Sequence, residues 1–235
     1  MSEPAARLSR RQRQVLDALG IDIWVSPERL ANAPAAETAT GAIVYGAPDQ
    51  DWIALEREVL SCTLCPLHRS RTQAVFGVGN PCADWLIIGE APGIEEDRRG
   101  EPFVGRAGQL LNEMLRGVGL TREQVYIANI LKCRPPENRD PRPEEVSCCT
   151  PYLERQISHI APRLILAVGR IAAHNLLGVD TPLGKMRGTV YHYGSNGIPV
   201  VVTYHPAYLL RSPSQKRKTW EDLLLAQQLL QDVSQ

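Results

Sequence analysis

The chain has 235 residues, 43% of them hydrophobic, and its 26 basic residues are balanced by 26 acidic ones. This length suffices for one sizeable core, and the zero net charge excludes a protein that binds nucleic acid through a global basic field. No run approaches about eighteen apolar residues, and the amino terminus lacks a continuous apolar segment. Neither a membrane span nor a secretory signal is therefore expected, and the predicted location is the cytoplasm.

The first fifty residues are uneven in composition. Leu8–Trp24 carries apolar residues at helical spacing, and Ala31–Thr40 is rich in Ala, Thr and Pro, which is typical of a linker. A further helix is predicted at Asp51–Ser61. We therefore divide the chain into an N-terminal helix and linker of unknown role at 1–50, and one domain at 51–235.

Short apolar runs alternate with helical patterns through the rest of the chain. Continuous apolar runs of this length are typical of strands that are buried on both faces, and their alternation with helices predicts a parallel sheet covered on both sides. The predicted strands are Asp84–Gly89, Val125–Leu131, Leu164–Gly169 and Pro199–Tyr204. The predicted helices are Arg106–Val118, Pro143–His159, Ile171–Leu177 and Trp220–Val233.

Parallel sheets bind ligands beyond the carboxyl ends of their strands. That rule selects four segments, each at the end of a predicted strand: Gly89–Gly93, Asn129–Cys133, Gly169–Arg170 and Tyr204–Arg211. The first is not a dinucleotide fingerprint, because GxGxxG is absent and Pro92 removes a backbone donor. Glu90, Asn129 and His205 are expected to converge at this edge of the sheet.

The chemistry of these residues suits recognition of a flat ring. Phe103 lies in a Gly- and Pro-framed loop, where an aromatic side chain either joins the core or stacks on a ligand. An amide such as Asn129 inside an apolar strand costs free energy unless it is paired, and its adjacent donor and acceptor suit a base edge. His205 is either a satisfied core histidine or part of the site. The acids Glu95, Glu96 and Asp97 are weaker candidates, because acid runs usually form exposed faces.

Six cysteines lie in a chain for which disulfides are not expected. Cys62 and Cys65 form a CxxC pair, and Cys133 and Cys149 follow as separated candidates, so that the four could hold zinc or an iron–sulfur cluster. Spacing alone decides neither the metal nor the choice between Cys148 and Cys149. Cys82 is interpreted as a buried small hydrophobe.

The segment after His205 reads PAYLLRSP and leads to a short basic run, QKRK. Leu209 and Leu210 beside Arg211, followed by the basic run, could form a wedge and a contact for nucleic acid, whereas the basic run alone more often begins a solvated helix.

Several separated motifs resemble one known family. GEAPGIEEDRRGEPFVGRAGQLL and HPAYLLR resemble the two signature motifs of the iron–sulfur (family 4) uracil-DNA glycosylases, and NILKCRPPENRDPRPEE and the CxxC pair strengthen the match. The resemblance covers about residues 52–233. It implies a three-layer α/β/α fold with a central four-stranded parallel sheet, and removal of uracil from DNA. We further expect the protein to be a monomer and to act on both single- and double-stranded DNA.

The resemblance also implies a [4Fe–4S] cluster on Cys62, Cys65, Cys133 and Cys149. Cys149 is chosen over Cys148 because the family places its last cysteine just before x-Pro-Tyr-Leu.

The resemblance further implies roles for the site residues. The turn that contains Gly89, Glu90 and Ala91 meets the base in a pocket, and Phe103 stacks on the uracil ring. Asn129 reads the O4/N3 edge, and His205 stabilises charge on O2. Glu90, or alternatively Glu96, positions the attacking water, and the Leu209–Arg211 segment fills the vacated stack.

Two alternatives stay open at this point. One is the DNA-crosslinking branch of the same superfamily, whose members usually carry Gln where this chain has Ala91, and a basic, His-containing loop that is not found near Lys185. The other is a non-catalytic module that binds DNA or a metal.

Overall fold

The structure is a computed structural model that describes residues 49–232. The predicted helix at Leu8–Trp24 and the linker at Ala31–Thr40 lie outside the described residues. The strands are β1 Val78–Gly79, β2 Trp85–Gly89, β3 Tyr126–Asn129, β4 Leu164–Val168, β5 Val190–Tyr193 and β6 Ile198–Thr203. The helices are α1 Gln50–Leu60, α2 Ile94–Arg99, α3 Arg106–Gly117, α4 Pro143–Ile160, α5 Arg170–Leu177, α6 Leu183–Met186, α7 Pro206–Arg211 and α8 Lys216–Asp232. Short 3₁₀ turns occur at Pro66–Arg69, Arg122–Gln124, Pro136–Asn138 and Pro213–Gln215.

The six described strands form one mixed sheet in the order β1-β3-β2-β4-β6-β5. The four strands predicted from sequence lie at its centre and are parallel to one another, whereas β1 and β5 pair antiparallel with β3 and β6 at the two edges. The prediction of an α/β fold is thus confirmed, but the sheet is larger and less uniform than predicted. The edge strands escaped prediction because β1 has two residues and β5 is only half-buried.

Successive residues of the central strands point to opposite faces, and each face has its own apolar core. Leu86 and Ile88 of β2 face helices α1, α4 and α5, while Trp85 and Ile87 face helices α3 and α8. Because both faces are buried, the strands read in sequence as continuous apolar runs. The outcome is three layers, with helices on both sides of the sheet.

The order of the sheet reverses at β2 and β4, since β3 lies on one side of this pair and β6 on the other. Connections that leave neighbouring strands in opposite directions open a crevice at the strand ends, where ligands bind in folds of this kind. Gly89, Asn129 and Thr203 are the last residues of β2, β3 and β6, so the segments singled out from sequence all begin at this crevice.

Among the described residues, no helix has both the length and the apolar content needed to cross a membrane. The monomeric state, the cytoplasmic location and the boundary at residue 50 stay predictions from the sequence.

Candidate active site

A pocket of about 460 Å³ opens at the crevice. It brings together residues that are far apart in the chain. The pocket is lined by seven of the site residues predicted from sequence: Glu90, Ala91, Glu96, Phe103, Asn129, His205 and Arg211. Gly89 lies directly behind the pocket, where a Cβ would stand 2.5 Å from Asn129 Oδ1 and 2.6 Å from Phe103 Cζ. The absence of a side chain at this position therefore leaves the amide and the aromatic ring accessible to each other and to a ligand.

Asn129 presents an unused acceptor to the pocket. Its side chain is 2% exposed, and Oδ1 is buried without a hydrogen-bond partner among the described residues. A buried polar atom without a partner costs about 1–3 kcal/mol, so its persistence indicates a function in binding. The backbone carbonyl of the same residue accepts a hydrogen bond from Lys132 Nζ at 2.9 Å, which fixes the end of β3.

Phe103 is buried and lies in a left-handed backbone conformation, with φ of 52°. Such a conformation is unusual for a bulky residue and needs support from its surroundings. Glu96 Oε1 accepts the N–H groups of Val104 at 2.9 Å and Gly105 at 3.0 Å. Arg122 donates to the carbonyls of Phe103, at 3.2 Å, and of Pro102. The loop is therefore held from both sides.

A glycine also makes room for this loop. A Cβ at Gly108 of α3 would lie 1.8 Å from the carbonyl oxygen of Phe103, so the helix can approach the loop only without a side chain there. The centre of the Phe103 ring lies 5.6 Å from the centre of the His205 ring, and the angle between the two ring planes is 32°.

His205 precedes α7, and its ring accepts a hydrogen bond at Nδ1 from the N–H of Ala207 at 3.1 Å. Burial lowers the pKa of His205 to about 4, and the nearby Arg211 acts in the same direction while Glu96 opposes it. The imidazole is therefore neutral at pH 7. Because Nδ1 accepts, the proton of the neutral ring lies on Nε2, which becomes a hydrogen-bond donor.

Glu90 lies one residue beyond β2. Burial raises the pKa of Glu90 to about 7, with a further contribution from Asp140, while Arg170 opposes the shift. Among the described residues, none donates a hydrogen bond to this carboxylate. Glu90 is thus free to bind water or ligand, whereas Glu96 Oε1 is already engaged by two backbone N–H groups.

Two predictions about individual side chains need correction. Leu209 is 1% exposed and packs in the core with α3 and α8, so we reassign it from DNA contact to the core, while Leu210 and Arg211 are exposed. Cys82 was predicted to be buried and is exposed. The acid run is also less exposed than expected, because Asp97 is 3% exposed and accepts hydrogen bonds from Thr72.

Sequence reasoning assigned no role to two polar residues that line the pocket, Tyr208 and Asn138. Both lie inside motifs that were quoted for other residues, HPAYLLR and CRPPENRD, so position in a motif was the available signal. Lys132, which supports Asn129, also lies inside a quoted motif, NILKCRPPENRDPRPEE, whereas Arg122, which supports Phe103, carried no recognisable signal.

Three of the four predicted metal ligands lie together in a third apolar cluster. Cys65, Cys133 and Cys149 are buried there with Leu67 and Leu131, and Cys148 packs against them. Cys62 is half-buried and forms a hydrogen bond with Tyr152, which raises the pKa of Tyr152 to about 12. Ala91 contacts this cluster and also lines the pocket, so the two features are neighbours.

Comparison with known proteins agrees with this geometry. The profile of the uracil DNA glycosylase superfamily matches residues 76–224. A type-4 uracil-DNA glycosylase of Archaeoglobus fulgidus is 50% identical over 171 residues, which cover 70% of this chain and 85% of the relative. One of Thermotoga maritima is 45% identical over 172 residues, or 72% and 89% of the two chains.

A type-5 uracil-DNA glycosylase of Pyrobaculum aerophilum is less similar. It is 30% identical over 172 residues, which cover 63% of this chain and 74% of the relative. From the matched profile and the extent of these similarities, we conclude that the chain belongs to the uracil DNA glycosylase superfamily.

Proposed function

We propose that this protein removes uracil from DNA by hydrolysing its N-glycosidic bond, which leaves an abasic site. The observation that carries the proposal is the Asn129 amide oxygen, which is buried without a hydrogen-bond partner in the described part of the chain, in a pocket that also holds Phe103 and His205. A direct test incubates the protein with an oligonucleotide that contains one uracil, followed by alkali. Strand cleavage at the uracil, and none in a matched oligonucleotide with cytosine, is expected. An uncleaved uracil strand would contradict the proposal.

The pocket requires the base to leave the duplex. A stacked base cannot reach side chains as buried as Asn129 and Phe103, so the nucleotide must be extruded. Phe103 then stacks on the uracil ring, and the amide of Asn129 pairs with its O4/N3 edge. Cytosine carries a donor where uracil has O4, so this pairing discriminates between the two bases.

His205 acts at the bond-breaking step. As the glycosidic bond breaks, negative charge develops on the uracil, and O2 is one of the atoms that carry it. The Nε2–H donor of a neutral imidazole, oriented by the Ala207 N–H, stabilises that charge. An oriented donor of this kind costs no reorganisation during the reaction.

Glu90 is the residue that we assign to the attacking water. Its carboxylate also faces a sugar that becomes cation-like, so the ionised form helps electrostatically. Glu96 was the alternative for this role. The hydrogen bonds of its carboxylate instead support a positioning role at the Phe103 loop.

The raised pKa of Glu90 leads to a pH prediction. A carboxylate that positions water is active only when ionised, so kcat/KM should rise with pH and level off above about 7. Glu90→Gln should lower activity and remove this rise. Since the folded protein holds this proton to higher pH than the unfolded chain, Glu90 should also make the free energy of unfolding decrease as pH rises from about 4.5 to about 7.

The pH profiles of kcat/KM for the wild type and for Glu90→Gln measure the predicted rise. Glu137→Gln, which neutralises an exposed carboxylate, serves as the control. An unchanged rise with pH in Glu90→Gln would assign the titration to another group.

Leu210 and Arg211 are proposed to contact the duplex from which the base has left. Leu210 is 39% exposed on α7, which follows His205 directly, and Arg211 lines the pocket. An exposed leucine here can fill the vacated stack, while the guanidinium contacts phosphate.

The cysteine cluster is proposed to hold a [4Fe–4S] group on Cys62, Cys65, Cys133 and Cys149. Among residues 49–232, no three His, Cys, Asp or Glu side chains are arranged to hold a single metal ion. A [4Fe–4S] cluster would instead be held by four cysteine thiolates around a group larger than one ion. When bound, the cluster would cross-link the segment after α1, the segment after β3, and α4.

A buried lysine near the cysteines is an argument for negatively charged sulfur atoms there. Lys132 is 2% exposed, and Nζ donates to Asn129 O at 2.9 Å and Gln156 Oε1 at 2.6 Å. It has no carboxylate within ion-pair distance in the described part of the chain. Burial lowers the pKa of Lys132 to about 8, while negative charge on Cys149 and Cys133 opposes this shift. Iron-bound thiolates would supply the anionic partner that a buried ammonium requires.

The cluster proposal has a direct chemical test. Protein purified without oxygen should be brown, with stoichiometric iron and sulfide. Cys149→Ala should lose both, while Cys148→Ala and the exposed Cys82→Ala should retain them. Cys148 is the sharper control, because it is adjacent to Cys149 but donates to the carbonyl of Leu64 at 3.5 Å. Stoichiometric zinc without iron or sulfide would contradict the cluster.

A further inference from the structure

A row of three side chains in contact leads from the buried carboxylate of Asp222 to the pocket. The guanidinium carbon of Arg187 lies 4.7 Å from the centre of the Tyr204 ring, which indicates a cation–π contact. The Tyr204 ring in turn lies 5.0 Å from that of Tyr208, with 43° between the planes. Tyr208 lines the pocket together with Phe103 and His205.

The inner end of this row is fixed by hydrogen bonds to a buried carboxylate. Arg187 donates from Nε and Nη2 to the two oxygens of Asp222, at 2.7 and 2.9 Å, and Nη2 also donates to the carbonyl of Lys218. Asp222 is 1% exposed and accepts a further hydrogen bond from the Thr203 hydroxyl at 2.7 Å. A guanidinium held by a bidentate pair cannot swing away from the Tyr204 ring.

The outer end of the row is open. Tyr208 is 36% exposed, and no described residue forms a hydrogen bond with its hydroxyl. It lies on α7 with Leu210 and Arg211, the two residues proposed to contact the opened duplex. An aromatic ring supported from below and exposed at a nucleic-acid site is the arrangement that proteins use to stack on bases.

We propose that Tyr208 stacks on a base next to the extruded uracil in the same strand, and that Tyr204 and Arg187 are positioning residues for its ring. This inference rests on the proposed function. The uracil itself is assigned to the deeper Phe103 and Asn129, which are 6% and 2% exposed. The more exposed ring of Tyr208 is therefore left to contact the part of the DNA strand that stays outside the pocket. Extrusion of one nucleotide breaks the stacking of its neighbour, and Tyr208 replaces the lost contact.

The test is a thermodynamic cycle between protein and DNA. Single-stranded oligonucleotides carry one uracil, flanked either by normal bases or by an abasic analogue on the 5′ or the 3′ side. Single-turnover rates are measured against enzyme concentration for the wild type, Tyr208→Phe and Tyr208→Leu. Tyr191→Leu, which removes a half-buried tyrosine on β5 outside the pocket, controls for the loss of an aromatic ring.

With normal flanking bases, Tyr208→Leu should raise the half-saturating enzyme concentration roughly 5- to 150-fold, the range for one base–aromatic stack. Tyr208→Phe and Tyr191→Leu should stay close to the wild type. On the oligonucleotide that lacks the stacked base, the Leu variant and the wild type should become equal. Tyr204→Leu should show part of the same loss, with the same dependence on the neighbouring base.

An equal loss for Tyr208→Leu on all oligonucleotides, or a Tyr208→Phe variant as impaired as Tyr208→Leu, would overturn the stacking role. An impairment of Tyr204→Leu that ignores the neighbouring base would overturn its positioning role. Failure of the proposed function is distinguished in the same experiment, because the wild type would then release no uracil from any oligonucleotide.

Discussion

His205→Ala is expected to slow single-turnover release of uracil about 100- to 1,000-fold, which corresponds to about 3–4 kcal/mol for one oriented donor. The loss should be the same on single- and double-stranded substrates, because the donor acts after the base has entered the pocket. Since burial lowers the pKa of His205 to about 4, titration of His205 should add no step to the pH profile of the wild-type rate between pH 5 and 9, beyond the rise assigned to Glu90.

Leu210→Ala is the matched contrast for this prediction. Leu210 lies on the helix that follows His205, but its side chain is 39% exposed and is assigned to the duplex rather than to the reaction. Opening a duplex costs a few kcal/mol that single strands largely avoid, so this variant should lose activity mainly on double-stranded substrate. Leu209 is not suitable for the comparison, because it is a core residue. A His205→Ala defect confined to duplex substrate would remove His205 from the bond-breaking step.

Asn129→Asp is expected to reduce uracil release about 100-fold or more, because a lost hydrogen bond and a repelled carbonyl together cost roughly 3 kcal/mol. Aspartate is nearly the same size as asparagine, but its ionised form offers only acceptors and repels O4 of uracil. Burial raises the pKa of such a carboxyl group, so the defect should deepen as pH rises. Activity on cytosine relative to uracil should increase, because the amino group of cytosine donates to a carboxylate.

The control for this prediction is Asn138→Asp. Asn138 lines the same pocket but is exposed, and its Oδ1 accepts a hydrogen bond from Arg134 Nε at 2.8 Å, which a carboxylate would also accept. Asn138→Asp adds the same negative charge at an exposed position of the pocket, and its activity should stay within about fivefold of the wild type, as expected for an exposed charge. The measurement is the single-turnover rate of both variants on uracil and cytosine oligonucleotides. Their melting temperatures show whether either substitution unfolds the protein. Equal defects in the two variants would show that charge, and not base reading, is responsible.

The central strands and the positions of the site residues were readable from sequence because both follow from local patterns. A strand buried on both faces must be continuously apolar, so β2, β3, β4 and β6 stand out from the rest of the chain. Residues that follow such strands collect at one edge of a parallel sheet, which predicted that Glu90, Asn129 and His205 would meet. The resemblance in the GEAPG and HPAYLLR segments then indicated the chemistry.

Only the tertiary structure decided which of these side chains are accessible and what holds them. Leu209 and Leu210 are adjacent and chemically identical, yet one is 1% and the other 39% exposed, because the orientation of α7 against the core is set by long-range packing. Glu90 and Glu96 are likewise both carboxylates in the segment that follows β2, but only the fold brings the Val104 and Gly105 N–H groups to Glu96 and leaves Glu90 half-buried without a donor among the described residues. Exposure and hydrogen-bond partners depend on segments far apart in the chain, which no local pattern records.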